Sequence, residues 1–96
     1  MRTPFKLNAS QWELPSAHIG DIPSKHIDTS LRQHPCIHLS DCTLSPNADM
    51  WTLTFQGNDF IVVNDLAEGL SIRFTDSTQT DLAEKLLAII EPPKAT

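Results

Sequence analysis

The chain has 96 residues, of which 40% are hydrophobic and 20% charged, and its net charge is −5. That length suits one domain, and the composition lacks the pairing of low hydrophobicity with high net charge that marks disorder. The longest apolar runs, 60–63 and 86–90, fall far short of the roughly 20 residues that cross a bilayer.

The first residues, Met-Arg-Thr-Pro-Phe-Lys, carry no apolar stretch of the signal-peptide kind, so the expected location is the cytoplasm. Phe5-Lys6-Leu7 has the length of a short strand. From Ala9 to Ser24 the chain holds Pro15 and Pro23, so residues 1–24 are expected to be mostly irregular. Trp12 lies in this stretch. A tryptophan there either anchors a partner protein or folds back over a sheet. Ser24 is placed to cap a short helix over residues 25–33, with Ile27 and Leu31 on its inner side and His34-Pro35 as its stop.

Cys36–Leu39 reads as the next strand, within the segment that holds the most chemistry-bearing side chains. On a regular strand His34, Cys36, His38 and Ser40 share one face, and Ile37 and Leu39 share the other. Imidazole and thiolate are preferred zinc ligands, so His34, Cys36, His38 and Cys42 are the candidate metal ligands. Their spacing matches no common zinc signature, and four residues in line cannot converge without a bend. The competing reading is a strand whose apolar side feeds the core. With no export signal the two cysteines are expected as free thiols. Either thiol could act with His18, His26, His34 or His38, but nothing in the pattern sets a base beside a nucleophile. No enzyme activity and no cofactor are expected.

Thr43–Asp49 reads as a loop. Trp51–Phe55 alternates with period two and Phe60–Val63 returns after Gln56-Gly57-Asn58-Asp59. A turn centred on Gly57-Asn58 sets Phe55 opposite Phe60, Leu53 opposite Val62 and Trp51 opposite Asn64. Thr52, Thr54, Ile61 and Val63 take the other face, which is too apolar to stand wholly in water. Leu70, Ile72 and Phe74 point inward on a third strand, with Ser71 and Arg73 outward. Residues 50–75 are thus a three-stranded meander. A helix over 79–91 follows, with Thr78, Thr80 or Asp81 as its cap, a stripe of Leu82, Leu86 and Ile89, and Pro92-Pro93 as its end. Lys94-Ala95-Thr96 is expected to fray. The only glycines, Gly20, Gly57 and Gly69, are isolated, so no phosphate-binding loop is present.

These elements predict a single α+β domain over 1–96: an antiparallel sheet of about four to five strands, a C-terminal helix packed on one face, and a short helix in the N-terminal half. The charge is uneven. Residues 1–48 hold four acidic and four basic side chains, and residues 49–96 hold eight acidic and three basic. An acidic half repels nucleic acid and anionic membrane and attracts a basic protein. The plain alternative is a solvated face. The leading expectation is a non-enzymatic protein-interaction domain, with an acidic inhibitor or an immunity or anti-defence protein as its sharp form. Its partner contacts would be Asp59, Asp65, Glu68, Asp76 and Trp12. A metal-binding or thiol-active protein built on residues 34–42 is the alternative, and a homodimer joined by a sheet edge or a helix face is the third.

Overall fold

The computed structural model describes residues 4–16 and 22–91. The expectations about His18, the Pro92-Pro93 helix stop and the frayed 94–96 end lie outside the described residues. The fold is α+β, with one six-stranded antiparallel sheet and two helices. In chain order come β1 (Phe5–Asn8), β2 (Gln11–Pro15), α1 (Ser24–Gln33), β3 (Ile37–Leu44), β4 (Ala48–Phe55), β5 (Asn58–Asp65), β6 (Gly69–Phe74), a 3₁₀ turn (Ser77–Gln79) and α2 (Thr80–Ile90). The order across the sheet is β1-β2-β6-β5-β4-β3.

β1 falls on the short strand expected at Phe5–Leu7, whereas β2 arises in the stretch expected to be irregular. Gln11-Trp12-Glu13-Leu14 alternates with period two, and Pro15 is the last residue of β2, where a missing donor costs little. β2 pairs with β6, setting Trp12 opposite Phe74 and Leu14 opposite Ile72. The expected loop at 43–49 shrinks to Ser45-Pro46-Asn47, because β3 runs on to Leu44 and β4 begins at Ala48.

The hairpin register differs from the expected one by two residues. Phe55 pairs with Asn58, Leu53 with Phe60 and Trp51 with Val62. The turn is centred on Gln56-Gly57, both with positive φ, 50° and 78°. Two left-handed central residues make a turn whose twist matches that of the flanking strands. A shift of two keeps every side chain on its expected face. At the next turn Gly69 has φ +83°, and the Asp65 carboxylate accepts hydrogen bonds from the backbone N–H groups of Ala67 (2.8 Å) and Glu68 (2.9 Å).

Ser24 is not the cap of α1 but its first residue. Pro23 holds the cap position in an extended conformation, with no side-chain cap bond. His34 ends the helix, extended as a residue before proline must be. At α2 the expected caps give way to Asp76, which accepts from the Thr78 N–H, while the Gln79 side chain accepts from the Asp76 N–H: a capping box one turn upstream. The buried stripe of α2 is Ala83, Leu86, Leu87 and Ile90, which leaves Leu82 and Ile89 half-buried.

Both helices cover one face of the sheet, α1 against β3 and α2 against β6 and β2. Between them and the sheet lies one core, made of Ile27 and Leu31 from α1, the stripe of α2, and Leu14, Trp51, Leu53, Phe55, Phe60, Val62, Leu70, Ile72 and Phe74. Among the described residues the other face carries no helix. Ser71 and Arg73, expected in solvent there, are buried and half-buried. No helix among the described residues is long and apolar enough to cross a membrane.

Candidate binding groove

The structure separates the expected metal ligands. The strand starts only at Ile37, so His34 and Cys36 are not on it. His34 packs edge-on against the core residue Phe55, with ring centroids 6.1 Å apart, and its Nδ1 accepts from the Cys36 N–H at 3.2 Å. His38 pairs with Thr54 on the opposite face. Ser40 is an extra residue in β3, since Leu39 pairs with Leu53 and Asp41 with Thr52. This bulge reverses the alternation, so Cys42 lands on the core face opposite Trp51, away from His38. The Ser40 hydroxyl donates to the Thr52 carbonyl at 2.9 Å and holds the bulge. Among the described residues no three His, Cys, Asp or Glu side chains gather where they could hold a metal ion.

The expected partner contacts are also dispersed. Asp59 is exposed on β5 and accepts a hydrogen bond from the Thr54 hydroxyl at 3.2 Å. Asp65 and Glu68 lie at and beyond the other end of β5, roughly 20 Å away for Asp65 at about 3.3 Å per residue. Asp65 is occupied in closing its turn, and Asp76 in capping, where the Thr78 bonds hold its carboxyl below the ordinary aspartate range. Trp12 is half-buried against the core with the Lys6 ammonium 5.8 Å from its ring.

One region gathers surface features that the linear pattern does not show. It lies between the start of α1 and the β3–β4 hairpin. The buried Trp51 lies beneath it, and its indole N–H donates to Asp28 at 3.1 Å. Arg32 Nε donates to the other Asp28 oxygen at 2.8 Å, four residues along the helix. The Arg32 bond is the main reason the Asp28 carboxyl lies below its ordinary pKa. Cys42 and Leu44 line the opposite wall of this hollow, whose volume is about 420 Å³. Burial, and then the Asp28 charge, push the Cys42 thiol above its ordinary pKa. A thiol held protonated is a poor nucleophile and a poor metal ligand.

A second hollow of about 250 Å³ adjoins the first, and Ser24 and Asp49 line both. Asn64 donates to the Ser24 hydroxyl (2.9 Å) and to the Ile22 carbonyl (3.0 Å), and Ser24 donates to the Asp49 carboxylate. This chain of bonds fixes Asp49 between the two hollows. Asp65 and Leu66 close the far side. Leu44 is 70% exposed and Leu66 82% exposed. The result is a groove above the buried Trp51, with carboxylates at Asp28, Asp49 and Asp65 and a leucine at each end. Of the residues lining the groove, Asp65 and Cys42 are among those expected at a site. The signal for the two leucines is an apolar residue set inside turn chemistry, Leu44-Ser45-Pro46-Asn47 and Asp65-Leu66-Ala67-Glu68-Gly69.

No family model, no curated protein and no solved structure matches this chain.

Proposed function

We propose that this chain is a non-enzymatic protein-interaction domain that takes a partner's segment, basic and apolar in character, into the groove between α1 and the β3–β4 hairpin. The observation that carries the reading is the pair of leucines, Leu44 and Leu66, standing in water at the two ends of a carboxylate-lined groove. Covering a leucine side chain contributes about 1.5–3 kcal/mol. A lysine or arginine between two such contacts would meet Asp49, which Ser24 holds in place. An inhibitor or immunity protein that blocks a cationic surface of a nucleic-acid-handling enzyme is one form of this activity. The raised Cys42 thiol and the scattered histidines favour binding over thiol or metal chemistry.

The test is titration of the isotope-labelled protein with short peptides that place one arginine between two leucines. Amide shifts should move at Leu44, Asp49 and Leu66, and Asp49→Asn should weaken binding. Raising salt should also weaken it, since the charges involved lie near solvent. Shifts confined to other surfaces, or an affinity indifferent to salt, would count against the reading.

A further inference from the structure

The open face of the sheet is a second surface, on the side away from the helices, and it carries an inference independent of the groove. Cross-strand pairing lines up one row across it: Phe5 on β1, Glu13 on β2, Arg73 on β6 and Ile61 on β5. The next row holds Pro15, Ser71, Val63 and Met50. The centre of this face is little exposed: Val63 is 4% exposed, Ser71 6% and Glu13 8%. Phe5, at the end of its row, is 49% exposed. The described part of the N-terminal segment does not lie across the face, because it joins the sheet in plane as β1 and β2.

Glu13 and Arg73 are direct cross-strand neighbours, yet they form no ion pair with each other. Among the described residues, Arg73 Nε is buried and has no hydrogen-bond partner. A buried donor left unmade is costly, so whatever covers this face has to offer an acceptor to Arg73. It also has to offer a donor to Glu13. A purely basic surface, an anionic membrane or a phosphate backbone matches the charge of only one of the two.

We propose that the occupant is a second copy of this chain. Over β1, β2, β6 and β5 the row reads apolar, acid, base, apolar, and Thr52 on β4 and Asp41 on β3 continue it beyond. A two-fold axis lying in the interface, parallel to the strands and midway between β2 and β6, places Glu13 over the second copy's Arg73 and Arg73 over its Glu13. The same axis sets Phe5 over Ile61 and Ile61 over Phe5. Both charges are paired across the interface, and both aromatic–aliphatic contacts close at its ends. Two-fold interfaces require this kind of self-complementarity. The groove beside α1 stays open in each copy, because α1 lies on the other side of the sheet.

The test is analytical ultracentrifugation of the full chain from low micromolar to millimolar concentration. A reversible monomer–dimer equilibrium is expected. Glu13→Arg and Arg73→Glu, each checked for folding by circular dichroism, should each weaken association at least about tenfold, the scale of a close interfacial charge pair. Mixing the two variants at equal concentration should restore it, since a chain with arginine at both positions then faces a chain with glutamate at both. A protein that stays monomeric at every concentration overturns the proposal and leaves the face to a different protein. So does a dimer that ignores both charge reversals, or one that the mixture fails to restore.

Discussion

At the residue scale, Trp51 and Asp28 join the core to the groove. Trp51 is wholly buried, and its single polar atom is bonded to Asp28. Trp51→Phe should cost about 2–3 kcal/mol, because it removes one hydrogen bond to a charged group and part of the buried ring volume. Trp51→Ala should cost about 3–5 kcal/mol, since it also opens a cavity. Urea titrations of the three proteins measure both. The pH dependence has a defined sign. Asp28 and Asp76 both sit below the ordinary aspartate value of 3.8 when folded. The stability they add is therefore complete above that value and is lost as pH falls through the lower folded values. Asp28→Asn and Asp76→Asn should melt below the parent protein at neutral pH, and the gap should close as pH falls below the lowered folded values. A gap that is constant with pH would mean these carboxylates stabilise nothing through their charge.

At the element scale, the turns and the bulge set which side chains meet. Gln56 occupies a left-handed position that costs an ordinary residue about 1–2 kcal/mol. Asparagine tolerates it better, so Gln56→Asn should raise the melting temperature. Gly57→Ala should lower stability by about 1 kcal/mol, through the same positive φ and not through a clash, since no atom lies within 4 Å of the added methyl. Thermal melts of the two variants should shift in opposite directions. Much of this architecture is legible in the chain itself. Period-two alternation marks β4 and β6, the apolar run Phe60–Val63 after the turn marks β5, and Ile27 and Leu31 mark the buried side of α1. Faces survive the register error because the shift is even. Two kinds of information are not legible. Gln11–Pro15 reads as irregular because proline weighs against a strand wherever it stands, although at a strand's last position it breaks almost nothing. The Ser40 bulge cannot be seen in a period count. It alone moves Cys42 from the side of His38 to the side of Trp51, and with it the candidate metal cluster comes apart. The groove is hidden for a related reason: Ser24, Asp49 and Asn64 meet only after three separate elements pack.

At the scale of the whole molecule, the sheet order brings the first part of the chain against the last strand. Leu14 is fully buried beside Ile72, and Leu53 is buried beside Phe60 near the other side of the sheet. Since both belong to one core, Leu14→Ala and Leu53→Ala should each cost about 2–5 kcal/mol within a single cooperative transition. Far-ultraviolet circular dichroism and tryptophan fluorescence should trace coincident melts in both variants. Separate transitions would divide the N-terminal hairpin from the remainder as its own folding unit. The same sheet order governs assembly during synthesis. β2 is made early, but its only neighbours are β1 and β6, and β6 is complete only at Phe74. On the ribosome, residues 5–15 must wait as an unpaired apolar hairpin while β3, β4 and β5 zip together, and they then close the sheet as its final step. A nascent chain that has not yet reached Phe74 therefore carries that hairpin without its sheet partner, open to chaperones and proteases.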